Sequence, residues 1–373
     1  MNHRIVLFFA LFVGFVLTSC TKDTLVSTDD LAEREALREI ELAEEQVAAE
    51  IAEHLSVFAG KSRTEIPAGS RNALAGAIAA ARPGAVIRLA AGDHFQDGTL
   101  TISKPINIIG APGARLLLAG TSPYPTEAAF LVPAIHVLKT EFVRIRNLEL
   151  VPVGGEGGTA ILVQNAPYTF VSRVTANDWQ AGVVIEQSEK VYVERSTFTG
   201  SSQWQTIPGF PVYGVVVVNG PQATIHNNDF ANHVFAVWAC DKRGRLSFNR
   251  FGGNFNGIEL CKVPVAFPLP DGQVVGSEFP ATRWLVYHNQ SNDNFNNGFE
   301  VIDGANNCLL VNNTATGNGA LDYEFAGVTE RYGFVAPTSS RNRAFLKGGS
   351  RWADCGERNF VRRGEEVNDW VCF

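Results

Sequence analysis

Sulfur is scarce in this chain of 373 residues, which holds one Met, at position 1, and six Cys. No Cys-x-x-Cys and no His-x-x-x-His spacing occurs, so no metal centre is assigned from sequence. Charge is thin as well, at 18% of residues, and 31 Lys+Arg against 38 Asp+Glu leave no basic excess, which argues against a nucleic-acid partner. No apolar run is long enough to span a bilayer: the run Ile5 to Leu17 would rise only about 20 Å as a helix. A hydrophobic content of 45% nonetheless excludes a wholly disordered chain.

The small charge is unevenly placed. Residues 21–58 carry 11 acids against 3 bases and Arg4 adds one positive charge, so the formal -7 is +1 - 8 + 0 and residues 59–373 balance at 27 against 27. The acidic segment reads as a spacer holding a neutral body away from a surface, and any selectivity of the body must come from local groups rather than long-range steering.

The N-terminus supplies an address. A short polar start (Asn2, His3, Arg4), the apolar run and then Leu17-Thr18-Ser19-Cys20 resemble the signal peptide and lipobox of bacterial lipoproteins. That resemblance implies cleavage before Cys20, lipidation of Cys20, membrane attachment through acyl chains and a place in the cell envelope. Thr21 stands where an Asp would mark inner-membrane retention, so the outer membrane is the expected location. Five Cys remain, an odd number; Cys355 and Cys372 could staple the C-terminus, and Cys240 with Cys261 form a second candidate disulfide.

The expected organisation is a leader over 1–19, a lipidated polar tether over 20–28, a spacer helix over 29–60, a repeat body over 61–346 and a C-terminal cap or tail over 347–373. In the spacer, Leu37, Ile40, Val47, Ile51, Leu55 and Phe58 recur at helical spacing among Glu and Ala, with Asp29 or Asp30 as N-cap. An Ala-rich helix at about Arg71 to Ala81 opens the body.

Six short apolar strands then align: Gly182–Glu186, Gly214–Val218, Ala236–Cys240, Gly257–Cys261, Gly298–Ile302 and Asp322–Ala326, their starts 32, 22, 21, 41 and 24 residues apart. A base period near 22 belongs to a stacked solenoid. A second strand ends in Asn in most units, at Asn227-Asn228, Asn249, Asn289 and Asn312-Asn313. Asn tolerates the left-handed conformation of tight turns and can hydrogen-bond to its copies in adjacent coils.

These features resemble the right-handed parallel β-helix of the pectin-lyase-like superfamily. The implied fold is all-β, a right-handed parallel β-helix with an N-terminal capping helix and a preceding spacer α-helix, of about ten coils. The polysaccharide-cleaving and epimerising motifs of that superfamily are missing: no Gly-His-Gly, Asn-Thr-Asp, Arg-x-Pro-x-x-Arg or Asp-Pro-His-Leu occurs. The resemblance therefore speaks for fold and leaves activity open.

The two long steps place insertions at 199–212 and 262–283, before one first strand and after another. They would wall a groove on the first-strand sheet, as in the polysaccharide grooves of that superfamily. Strand alternation sends Val183/Ile185, Val237/Ala239 and Ile258/Leu260 inward and leaves an outward column Val184, Val216, Trp238, Glu259, Glu300, Glu324. Stacked carboxylates about 5 and 10 Å apart have the separations of glycosidase pairs or could recruit Ca2+. Glu259, Glu300 and Glu324 are thus the candidate catalytic groups, and Trp238, Trp204, Arg283 and Lys262 the candidate substrate contacts. Two functions fit: a lipid-anchored envelope protein that binds or processes a polysaccharide, or a non-catalytic scaffold for protein partners.

Overall fold

The computed structural model describes residues 28–56, 58, 62–120, 132–205, 212–262, 267–268, 270, 272, 274–331, 334–370 and 372. The expected leader, Cys20 and most of the expected tether lie outside these.

From Arg63 onward the chain winds into parallel coils. One complete turn consists of a first strand (Phe235–Ala239), a second (Arg245–Ser247) and a third (Arg250–Gly252), after which the next first strand (Asn256–Leu260) pairs in parallel with the one before. The second-strand ladder has eleven consecutive parallel pairings, hence twelve segments, from Arg63–Ile66 to Phe360–Arg362. Pairing continues beyond residue 346, where the sequence suggested a cap: Arg343–Phe345 pairs with Phe360–Arg362, and Tyr323–Phe325 with Trp352–Asp354. Alternation fills the interior as expected, with Val183, Ile185, Val215, Val237, Ile258, Phe299 and Tyr323 in one continuous apolar core. Aromatic residues stack at coil spacing, as in Phe198–Phe230 at 5.3 Å and Phe230–Phe251 at 5.1 Å between ring centroids.

The turn after each second strand explains the Asn pattern. One residue takes a left-handed conformation, at Asn147, Arg173, Arg195, Asn227, Phe248, His288 and Asn312, with φ from 51 to 56°. The following position then turns inward. There Asn228, Asn249, Asn289 and Asn313 form a buried ladder, each Nδ2 donating to the next Oδ1 at 2.9–3.0 Å. A second ladder, Asn254–Asn294–Asn318, closes the turns after the third strands. Phe248 and His288 therefore project from turns, where their rings stack at 4.9 Å, and not from the second strand itself.

Helix α1 (Thr28–Ser56) does not stand away from the body. Its buried seam is Ala36, Ile40 and Ala43, and Ala36 and Ile40 pack with Tyr287, Leu309, Val311 and Phe345 on the outer side of the second-strand sheet. The Ala residues let the helix axis approach the sheet closely. Ion pairs fix its direction: Glu33 meets Arg363 at 2.7 Å, Glu39 meets Arg343 at 2.8 Å, and Glu50 meets Lys190 at 3.4 Å. The helix thus runs from the C-terminal coils back toward the middle of the stack. Glu33 to Glu50 spans about 26 Å of helix, and the six coil steps from Tyr192 to Phe360 about 29 Å, so the two repeats match. Burial alone would raise the Glu50 carboxyl; hydrogen bonds from Tyr192 and Gln46 and the Lys190 charge hold it below its ordinary value. The acidic excess of this segment is partly answered by bases of the body, which corrects the reading of a solvated spacer. Helix α2 (Ala73–Ala80) covers the first coils with Leu74 and Ile78 in the core.

Candidate functional site

The expected column forms in register. Trp238 pairs with Glu259, Glu259 with Glu300, and Glu300 with Glu324 on successive first strands. Its environment differs from expectation. Trp238 is 5%, Glu259 1% and Glu300 2% exposed, and only Glu324 is half-buried. Outward side chains of this sheet, among them Val184, Tyr213, Val216, Trp238, Cys240 and Cys261, form a second apolar cluster of their own. Alternation tells which side of a sheet a residue faces; it does not tell whether that side is wet. As folded, Trp238, Glu259 and Glu300 lie under cover rather than on an open face.

Within it the polar groups satisfy one another. The Trp238 indole donates to Glu259 Oε1 at 3.0 Å, Asn256 Nδ2 to Glu300 Oε2 at 2.9 Å, and Asn297 Nδ2 to Glu300 Oε1 at 2.7 Å and Glu324 Oε2 at 2.6 Å. Tyr213 and Phe235 stack on Trp238 at 5.2 and 5.6 Å, occupying ring surface that the sequence reading reserved for a sugar. The remaining expected contacts are dispersed. Lys262 follows Cys261 beside the column, half-buried. Arg283 is exposed in the turn that leads into the second strand Leu285–Tyr287, and Trp204 sits on a short 3-10 turn, Ser202–Gln205, before a first strand.

Cys355 and Cys372 form a disulfide with Cα atoms 5.4 Å apart. Cys240 and Cys261, one coil apart, are not disulfide-bonded, although their Sγ atoms are 2.8 Å apart. Burial, then the Cys240 thiol and the nearby Glu259 and Asp303 charges, push the Cys261 thiol well above its ordinary pKa.

An accessible depression lies instead on the third-strand sheet. Register sets Thr197, Asp229, Arg250, Gln290 and Thr314 in one outward row and Thr199, Ala231, Gly252, Asn292 and Thr316 in the next. Ala231 and Gly252 lower the second row at its centre. The result is a trough of ≈ 340 Å³, with Arg250 and Asp229 paired at 2.6 Å on one side. Beyond the following turn, Phe255 and Phe295 are 40% and 59% exposed, and Trp204 meets both edge-to-face at 6.1 and 5.5 Å. Small side chains at register-matched positions were the available signal in the sequence, but they stand out only once the third strands are aligned.

The three-stranded coils, the Asn ladders and the continuous parallel sheet define a β-helix protein. The chain matches the family described as right handed beta helix region over residues 134–343, and it belongs to that family. No curated protein sequence matches it. Among solved structures it is similar to the ORF18 protein of Geobacillus virus E2, at 12% identity and a TM-score of 0.47, covering 79% of this chain and 56% of that one. This chain thus spans little more than half the length of the viral protein. It is also similar to the A-module of a mannuronan C-5 epimerase from Azotobacter vinelandii, at 13% identity and a TM-score of 0.49, covering 80% and 94% of the two chains. A rhamnogalacturonan lyase shares 10% identity over 78% of this chain and 80% of that one, with a TM-score of 0.48. Likeness at this level concerns the coiled architecture alone.

Proposed function

We propose that this protein is a lipid-anchored component of the cell envelope that binds a polysaccharide along its third-strand trough. One observation carries the reading: an open trough whose hydrogen-bonding groups repeat at the coil spacing, bordered by exposed aromatic rings. A linear array of Thr, Asp, Arg, Gln and Asn suits a linear polymer of hydroxyl-bearing units, since Thr, Gln and Asn both donate and accept, Arg donates and Asp accepts. Exposed Phe295 and Phe255 offer flat apolar faces to the C–H faces of sugar rings, and the formally neutral body sets no preference for a strongly charged ligand. The candidate carboxylates Glu259, Glu300 and Glu324 enter this reading as the packed support of the neighbouring sheet.

Gly252 provides a clean test. A Cβ added there meets nothing nearer than Asn292 O at 3.5 Å, so a larger side chain fits the fold while filling the trough. Titration with a panel of neutral and acidic polysaccharides should find a binder whose affinity falls at least about tenfold in Gly252→Leu and in Phe295→Ala, about 1.4 kcal/mol each, with unchanged thermal unfolding. Binding of that polysaccharide equal to wild type in both variants, or no binder in the panel, would sink the proposal.

The anchor belongs to the same proposal and rests on the sequence around Cys20, which lies outside the described residues. Lipidation at the start of the mature chain and residence in the outer membrane are its two parts. Cys20→Ser should abolish incorporation of labelled acyl chains and release the protein from membranes, and persistent labelling would refute it.

A further inference from the structure

Three successive coils bring together two thiols and two carboxylates. Cys240 directly follows the first strand Phe235–Ala239, Glu259 lies in the next, Asn256–Leu260, with Cys261 directly after it, and Asp303 lies two residues past the third, Phe299–Val301. One ligand atom from each of Glu259, Cys261 and Asp303 lies within 4.8 Å of the other two, and Cys240 Sγ is 2.8 Å from Cys261 Sγ. Cys240 and Cys261 are 0% exposed, and Glu259 and Asp303 1%. We propose that these four residues form a structural site for a borderline-soft divalent cation, with Zn2+ as the fitting ion.

The donor set chooses the ion. Calcium and magnesium take oxygen ligands and avoid sulfur, which sets aside the Ca2+ suggested by the carboxylate column alone. Monovalent copper prefers thiolate and thioether groups throughout, whereas two thiols with two carboxylates suit zinc. Tetrahedral zinc, with bonds of about 2.0–2.3 Å, holds its ligand atoms about 3.3–3.8 Å apart. Glu259, Cys261 and Asp303 already lie within 4.8 Å of one another, and Cys240 reaches the group through Cys261, so binding would require the two sulfurs to part and the oxygens to close in around the ion.

Burial assigns the role. Four protein ligands leave no open position for substrate, as in structural zinc sites. The place in the chain is equally telling: Cys261 is the last residue before the 262–283 insertion, so a cation here would fasten the root of that insertion to the coils on either side. The thiols of Cys240 and Cys261 would each release a proton on binding, the metal–sulfur bonds replacing S–H bonds with no change of oxidation state.

The test uses the purified full chain, stripped with chelator and titrated with Co2+ and then Zn2+. One equivalent of Co2+ should produce the intense near-ultraviolet band of a cobalt–thiolate bond, Zn2+ should bleach it, and bound Zn2+ should raise the unfolding temperature. Cys240→Ser and Cys261→Ser should each lose the band, and Cys308→Ser, which changes a thiol outside the cluster, should keep it. The wild-type spectrum decides even where a variant fails to fold. Absence of the band in wild type overturns the proposal, as does non-reducing peptide mapping that finds Cys240 bonded to Cys261.

Discussion

Replacing Asn289 with Ala should destabilise the protein by about 3–5 kcal/mol, the sum of several buried hydrogen bonds lost and their partners left without replacements. Asn289 is 0% exposed and works on both sides of its own coil. Its Nδ2 donates to Asn313 Oδ1 at 3.0 Å and to Leu246 O at 2.9 Å. Its Oδ1 accepts from the Asn249 backbone N–H at 3.0 Å and from Asn249 Nδ2 at 2.9 Å. Alanine removes the acceptor from two donors of the buried Asn249 at once. Because each coil rests only on its neighbours, the damage should spread first to the coils on either side. Urea unfolding followed by circular dichroism measures the loss, and hydrogen exchange should show the second-strand amides near Leu246 and Leu310 opening early. Gln290→Ala, an exposed change in the adjacent strand, should cost under about 0.5 kcal/mol. A loss below 1 kcal/mol in Asn289→Ala would show that the ladder follows the fold rather than holding it.

That ladder was legible from the sequence, and the physical reason is local. A left-handed residue followed by an inward amide recurs at the same point of each coil, so a repeat period near 22 and a few Asn pairs suffice to find it. The first-strand core was legible for the same reason, since alternation needs only one strand at a time. The column Trp238, Glu259, Glu300 and Glu324 was read in the right register but in the wrong medium: whether an outward residue meets water depends on what packs over it, and the pairing pattern carries no record of that. Helix α1, expected over 29–60, runs Thr28–Ser56, and its place against the body was not read because its contact seam uses Ala36 and Ala43, whose small side chains carry little hydrophobic signal. Asp303 was missed altogether. It lies one residue past the aligned segment Gly298–Ile302, where strand alternation no longer assigns a side.

Glu300→Gln would read out loss of a catalytic acid if the column were an active site; here it should instead weaken the fold, by about 2–4 kcal/mol, with no substrate present. The argument rests on which way the neighbouring amides face. Asn297 Oδ1 accepts from the Leu321 backbone N–H at 2.9 Å, and Asn256 Oδ1 accepts from the Asn297 backbone N–H at 3.1 Å. Both oxygens are thus committed to main-chain donors, so neither amide can flip without stranding a buried N–H. Each must present its NH2 to position 300, one to Oε1 and one to Oε2. Only a side chain with two acceptor oxygens answers both. Gln offers one oxygen and one NH2, which sets donor against donor within about 3 Å at a residue 2% exposed. Glu324→Gln should cost less, because Glu324 is half-buried and its rejected amide can turn to water. Thermal and urea unfolding of the two variants side by side measure the difference. Equal stability of Glu300→Gln and wild type would mean that the amides can reorient, and the carboxylate column would lose its assigned structural part.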